Sequence, residues 1–169
     1  MAKKLVGRHK RVAFMKTAEG TYTRMTGFTQ MTNNKNPQEY SRHYIDEQSE
    51  RSDVVGYAPS IDYSFDRHTE TAVHDIIAEI HDNELIGNDA HVEILVVDLF
   101  TANSAGKCDA ILRTYAVIPN NDGDGNDALI YTGSFKSVSD IKGRYATVSE
   151  DGQTAEDSGV REISKSEEE

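Results

Sequence analysis

Ser60-Ile-Asp-Tyr-Ser-Phe-Asp-Arg-His-Thr-Glu-Thr-Ala-Val-His-Asp-Ile-Ile-Ala-Glu-Ile-His-Asp82 changes its hydrophobic period halfway along. Ile61, Tyr63 and Phe65 alternate with Asp62 and Ser64, the signature of a strand buried on one face. From Val73 the period lengthens: Val73, Ile76, Ile77 and Ile80 recur at i, i+3, i+4 and i+7, which lines one side of a helix. His74, Asp75, Glu79, His81 and Asp82 fall off that stripe. Thr69 has the chemistry of an N-cap and Glu70 suits the first turn, so a helix is expected over about 70–82. No other stretch reads as a helix.

On both sides the sequence is strand-like. Val12 to Lys16 begins a strand, and Ala18-Glu19-Gly20 reads as a hairpin turn. Tyr22 to Thr32 is rich in Thr and aromatics, a β composition. Asn33-Asn34-Lys35-Asn36-Pro37 breaks it. Tyr40 to Glu47 and Ser52 to Tyr57 form two extended stretches joined by the charged Glu47 to Arg51. Together they make a long polar excursion, 37–57, whose few apolar residues (Tyr40, Tyr44, Ile45) cannot bury much alone, so it calls for a partner surface. Val92 to Phe100 is apolar on both faces, as a central strand would be. Ala110 to Ile118, Leu129 to Val138 and Gly143 to Val148 follow, separated by turn residues. The expected fold class is mainly β: an antiparallel β-sandwich or barrel with one flanking α-helix.

The chain has 169 residues, enough for one domain with a real core. Its net charge of −11 is unevenly placed. Lys3, Lys4, Arg8, Lys10, Arg11 and Lys16 make the first sixteen residues purely basic, and 1–10 is expected to be a mobile basic arm. Glu150, Asp151, Glu156, Asp157, Glu162 and Glu167 to Glu169 make 149–169 acidic and poor in apolar residues, an expected disordered tail. The β-domain then spans 11–148. An acidic chain repels a phosphate backbone, which argues against a nucleic-acid-gripping role. No apolar run approaches the ~20 residues of a membrane helix, and Met1 to Lys16 lacks the apolar core of a secretory signal. The single cysteine, Cys108, excludes a disulfide within the chain and suits a reducing compartment. Trp, the commonest anchor for stacked sugars or bases, is absent.

Chemistry-bearing patterns are few. His74 and His81 stand two helical turns apart, where a zinc helix offers i, i+4, and His43, His68 and His91 lie in other segments without ligand spacing. The histidines are read as exposed or capping. Carboxylates are many but unpatterned, and no phosphate loop, nucleophile elbow or Cys-x-x-Cys occurs, so no enzyme and no cofactor are expected. Ile118-Pro-Asn-Asn-Asp-Gly-Asp-Gly-Asn-Asp127 places Asn120, Asp122, Asp124 and Asn126 at alternate positions, with Gly125 where a calcium loop turns. A helix-framed calcium loop also needs a bidentate Glu at position 12, where this chain has Tyr131. The stretch is therefore read as a hairpin loop over 120–127; a calcium site of another kind, built on those four residues, is the alternative.

Met25-Thr-Gly-Phe-Thr-Gln-Met-Thr-Asn-Asn-Lys-Asn-Pro-Gln-Glu-Tyr-Ser-Arg-His-Tyr-Ile-Asp-Glu47 resembles the tail tube proteins (major tail proteins) of long-tailed phages and phage-tail-like particles of Gram-positive bacteria. Residues 50–66, 73–90 and 116–124 continue the likeness, which covers roughly 10–148 and is most specific at Lys35-Asn-Pro-Gln-Glu-Tyr-Ser-Arg42. The resemblance implies a tail-tube β-fold whose subunits form homohexameric rings through their sheets. The rings stack into a hollow tube around a tape measure protein, and DNA passes through the bore without specific binding. It implies tail terminator and distal tail or baseplate proteins as further partners, and no membrane insertion. It also implies a place in the virion tail, of the flexible siphovirus kind, after synthesis in the bacterial host's cytoplasm.

On that reading the excursion reaches a neighbouring subunit or ring, through Tyr40, Arg42, Tyr44, Asp46, Glu47, Glu50, Arg51 and Asp53. The acidic balance keeps DNA from sticking, unless cations such as Arg113 and Lys136 face the bore. The alternative is a monomeric β-sandwich binding module with a calcium-dependent loop at 120–127.

Overall fold

A computed structural model describes residues 2–123 and 126–163. Eleven strands and one α-helix are formed by the described residues. In chain order they are β1 (Arg11–Ala18), β2 (Thr21–Arg24), β3 (Phe28–Asn34), β4 (Pro37–Arg42), β5 (Arg51–Tyr57), β6 (Ser60–Asp66), α1 (Ala72–Asp82), β7 (His91–Asp98), β8 (Lys107–Asp122), β9 (Ile130–Ser137), β10 (Lys142–Val148) and β11 (Thr154–Val160).

All pairings are antiparallel. β1, β2, β11, β10, β8 and β7 close into a six-stranded barrel. β8 makes the second unit possible because it is long enough to change partners: Lys107–Leu112 pair with β10, and Tyr115–Asp122 pair with β9. From there the sheet runs on as β8–β9–β6–β3. β4 and β5 pair only with each other, as a separate hairpin.

Two cores follow from strand alternation. Val12 and Phe14 of β1, and Leu95 and Val97 of β7, point into the barrel with Tyr22, Cys108, Leu112, Ala146 and Ala155. The other faces of the same strands, Met15 and Ile94, join a second core with Ile61, Tyr63, Phe65, Tyr115, Val117, Tyr131 and Phe135, against which α1 packs Val73, Ile77 and Ile80. The expectation that β7 is covered on both faces therefore holds, and so does the barrel with one flanking α-helix. Phe65, Phe135 and Ile77 are fully buried, each contributing roughly 1.5–3 kcal/mol from apolar burial.

Several boundaries differ from the sequence reading. The helix begins at Ala72 because Glu70 takes a positive φ of 57°, and its N-cap is Thr71, not Thr69. Tyr22–Thr32 is two strands: the chain breaks at Met25–Gly27, where Gly27 (φ 76°) lies against His74 and His68 with no room for a β-carbon. The largest correction is at the acidic end. Thr154–Val160 is not a disordered tail; it is the strand that closes the barrel, between β10 and β2. It needs little apolar sequence because the larger side chains of neighbouring strands share the core with it: Ala155 pairs with Tyr22, and Ala146 and Ala155, 0% and 1% exposed, cluster with Phe14 and Tyr22. Residues 164–169 lie outside the described residues. At the other end, Arg8–Lys10 form a 3-10 turn, and Arg8 donates to the carbonyls of Arg11 (2.9 Å) and Met31 (3.3 Å), so the end of the basic arm is fastened to the domain.

Candidate assembly surfaces

The hairpin β4–β5 leaves the body between β3 and β6. Its neck is closed by Ala58 N–H donating to the Asn36 carbonyl (3.3 Å) and by Asn36 Nδ2 donating to the Ala58 carbonyl (3.1 Å) and Ser60 Oγ (3.2 Å). Every residue of β4 is exposed. The structure gathers the expected contact residues on this one element. Tyr40 sits across from Asp53, and Arg42 across from Arg51. The Arg42 guanidinium lies over the Tyr40 ring at 5.1 Å, and Arg51 approaches Tyr44 at 6.0 Å. Arg51 grips Glu47 with two hydrogen bonds of 2.8 and 2.6 Å, which shapes the tip. Asp46 and Glu50 are exposed. The apolar surface here is larger than the sequence reading counted: Val54, Val55 and Tyr57 are 52–64% exposed beside Tyr40, Tyr44 and Ile45.

The second surface is the outer face of the β8–β9–β6–β3 sheet. Cross-strand partners share a face, so Thr32, Asp62 and Ser134 form one row and Gln30, Ser64 and Thr132 the next. The row is laced together: Asn34 Nδ2 donates to Asp62 (2.9 Å), Ser134 Oγ donates to Asp62 (2.8 Å), and Thr132 Oγ1 donates to Asn121 Oδ1 (2.7 Å). Its charges are Asp62, Asp66 and Lys136. Arg113 lies opposite Ile94, on the helix side of the sheet, away from this face.

This sheet is open at both sides. β3 pairs only with β6. On the far side, β7 accompanies β8 only as far as Ala116, so among the described residues Val117–Asp122 have β9 on one side and no strand on the other, where Glu84–Ile86 face Pro119–Asp122 across a small groove. Pro119 and the bulge after it mark an edge. Alongside β3 runs a groove of about 690 Å³. Six successive residues of β3, Phe28–Asn33, line it, which a strand does only along its edge. The opposite wall is formed by Arg8, Arg11, Ala13, Arg24 and Val96. Arg11 is paired with Asp98 at 2.6 Å; Arg8 and Arg24 have no carboxylate partner among the described residues.

The loop at 120–127 is shorter than read. β8 extends through Asp122 and β9 starts at Ile130, so Asn120 and Asp122 are strand residues. The described residues hold no cluster of three metal-ligating side chains, and Asp124, one of the four candidate ligands, lies outside them.

Two of the histidines, His74 and His81, are not exposed as expected. His74 and His81 are 0% and 7% exposed, because the buried side of α1 is wider than the stripe and includes Val73–His74, Ile77–Ala78 and Ile80–His81. His68 N–H donates to His74 Nδ1 (3.0 Å), so His74 Nε2 carries the ring proton and donates it to the Thr26 carbonyl (2.6 Å). Tyr63 O–H, with no other partner among the described residues, donates to His81 Nε2 (2.5 Å). Both imidazoles are thereby held neutral, and burial lowers both pKa values below the usual 6.5. Burial also pushes the Cys108 thiol up, the opposite of an activated nucleophile. No residue spacing could reveal these contacts, since Thr26 lies in the break between β2 and β3 and Tyr63 in β6.

The antiparallel barrel thus extends into an open-edged sheet and carries an exposed hairpin, while His74, His81 and Cys108 are locked in the core. No protein-family model matches the chain, and no curated protein matches its sequence. Among solved structures, the chain is similar to a protein in the tail of an empty GTA particle solved with C6 symmetry: TM-score 0.56, 10% identity, covering 81% of this chain and 97% of that one. A weaker likeness is to a chain of the anti-feeding prophage (AFP) baseplate, at TM-score 0.48 and 9% identity over 85% of this chain and 97% of that one. The first likeness establishes a shared fold.

Proposed function

We propose that this chain is the tail tube subunit of a phage or phage-tail-like particle. Copies close into hexameric rings, and the rings stack into a hollow tube. The observation that carries the reading is the four-stranded sheet with two open edges and one polar face. In the order β8–β9–β6–β3, β8 runs antiparallel to β3 in direction. A neighbour in the same orientation would therefore present its Val117–Asp122 edge antiparallel to β3, and the sheet would continue from copy to copy. The six-fold symmetry of the matched tail supports six copies per ring.

In such a ring the polar face lines the bore. It offers hydroxyls and amides, two carboxylates and one ammonium per copy. Cations that would hold phosphate are sparse there, so DNA slides without being gripped. The hairpin β4–β5 reaches the next copy or ring through Tyr40, Arg42, Tyr44, Asp46, Glu47, Glu50, Arg51 and Asp53, covering Val54, Val55 and Tyr57. A tape measure protein inside the bore, a tail terminator, and distal tail or baseplate proteins complete the partners, and the chain's work is structural.

Electron microscopy of the purified protein at high concentration tests this. Rings or tubes of uniform bore are expected. Deleting Glu47–Arg51 should leave the circular dichroism spectrum intact and abolish tubes. A strictly monomeric wild-type protein, even with its assembly partners present, would refute the reading, and normal tubes from the deletion would remove the hairpin from it.

A further inference from the structure

The groove beside β3 asks for an occupant, and the sheet geometry supplies one. We propose that the arginine wall of this groove is an electrostatic lock for the acidic end of β8 in the adjacent copy, with Arg24 receiving Asp122 and Asp127 and Arg8 adding positive charge further along the same edge. This rests on the ring reading and adds the residues that fix its register.

Strand levels place the two charges together. Within one chain, Asp122 is level with Tyr131, Tyr131 with Phe65, and Phe65 with Phe28. When a neighbour's β8 edge lies antiparallel to β3, its Asp122 end therefore points toward the Phe28 end of the groove. That is the end where Arg24 and Met25 stand, just before Phe28 in the chain. Arg24 is fixed there by its own N–H donating to the Gln153 carbonyl (2.8 Å). Arg8 stands further along, bonded to the Met31 carbonyl and so level with Pro119, where it extends the positive wall behind Arg24. Both guanidiniums lack a carboxylate within their own chain's described residues. Asp122 and Asp127 are exposed, and no salt bridge among the described residues uses either. The apolar floor of the groove, including Ala13, Met31 and Val96, would be covered by the arriving strand.

Charge alone makes the contact specific. The chain carries net charge −11, so two copies repel at long range, and arginines beside the pairing edge provide a local attraction of the opposite sign. A wrong register would set the acidic end against β3 without its counter-charge. The lock therefore selects one slip position of an edge whose backbone hydrogen bonds alone do not.

Charge reversal tests it on the full chain. Two double variants, Arg8→Glu with Arg24→Glu and Asp122→Lys with Asp127→Lys, should each raise the concentration needed for ring formation on the order of tenfold or more. The fourfold variant, with the signs exchanged, should restore it. Circular dichroism and thermal melting of each variant monitor folding, and an equimolar mixture of the two double variants, in which every lock can again pair opposite charges, should also recover rings. Ring formation by either double variant at wild-type concentration, or a fourfold variant no better than the doubles, would overturn the lock while leaving the ring standing. A wild-type protein that forms no rings overturns both. If removing residues 164–169 or the hairpin tip alone reproduces the effect of the arginine variants, the groove belongs to that segment, and the assignment to Asp122 and Asp127 is wrong.

Discussion

Acid should loosen this protein in a defined window, through His74 and His81. Both rings are buried and already committed as neutral partners. His74 accepts from the His68 N–H, so a second ring proton at Nδ1 would face a donor. His81 accepts from Tyr63 O–H, which loses its only acceptor if Nε2 is protonated. The groups around them set the balance. Desolvation is the main depressing cause for both, and the neighbouring His68 and Arg67 push His74 further down against the opposing pull of the Thr26 carbonyl and Asp75. Asp122 and Asp82 pull His81 partly back, so its shift is the more contested.

The sign follows from linkage. The folded pKa lies below the unfolded value of about 6.5, so between the two values the unfolded chain binds more protons, and stability falls as pH falls. The effect is negligible above about pH 7.5 and amounts to about 0.4 kcal/mol per site at pH 6.5. By pH 5.5 a site still neutral in the folded state loses about 1.4 kcal/mol, so the pair loses up to roughly 3 kcal/mol. That is a sizeable fraction of the roughly 5–15 kcal/mol of a typical domain, and with a urea slope of roughly 1–3 kcal/mol/M the midpoint should drop by at most about 1–3 M between pH 7.5 and 5.5. Carboxylates titrate mostly below this window. The assay is urea unfolding followed by circular dichroism at both pH values, for the wild type and for His74→Gln with His81→Gln. The double variant should start less stable and show a flatter pH dependence. An equal slope in both proteins, or folded-state imidazole signals titrating near pH 6.5, would refute the reasoning.

Two further outcomes follow from the packing and the loop. Gly133→Ala should destabilise the fold by several kcal/mol, roughly the 1–3 kcal/mol of overpacking or more, because the new β-carbon would sit 2.6 Å from the Ile118 carbonyl oxygen and 2.7 Å from Tyr63 Oη; thermal melting reads it, and an unchanged midpoint would show that β9 can move away from β8 there. Calcium at millimolar concentration should release no stoichiometric heat in calorimetry, since Asn120 and Asp122 are held in a strand instead of a ligand-gathering loop; a binding heat abolished by Asp122→Ala with Asp124→Ala would restore the calcium reading.

Where a single face decides, the sequence was transparent. Ile61, Tyr63 and Phe65 announce β6, and the two-sided apolar run of β7 announces a strand shared between cores. What escaped notice depends on distant partners. β11 was hidden because its share of the barrel core is Ala155 alone, which no hydrophobic count can distinguish from a tail. His74 and His81 looked like the polar side of α1; the helix is in fact clasped on a broad face, and the acceptor and donors that make a buried imidazole acceptable arrive from Thr26, His68 and Tyr63. The exposed hairpin could be anticipated from its poverty of core residues, but the open edges of β3 and β8 could not, since they exist only once every other strand has found its neighbours.

On the tube reading, those edges also explain why assembly would be distributed over three places. An open, regular strand edge is an aggregation hazard, and natural proteins blunt it. Here Pro119 removes a backbone donor from the β8 edge and a bulge follows it, so edge pairing alone is weakened. On the tube reading, stable rings then need the hairpin and the arginine groove to add what the edge lacks. Each contact is weak by itself, but within a closed ring all are made together, and the effective concentration of each rises once the first has formed. The protein can thus remain dispersed at −11 net charge and still commit fully when a template brings the copies into register. That same division of labour is why the charge-reversal pairs should raise the concentration needed for ring formation while leaving the fold of each copy untouched.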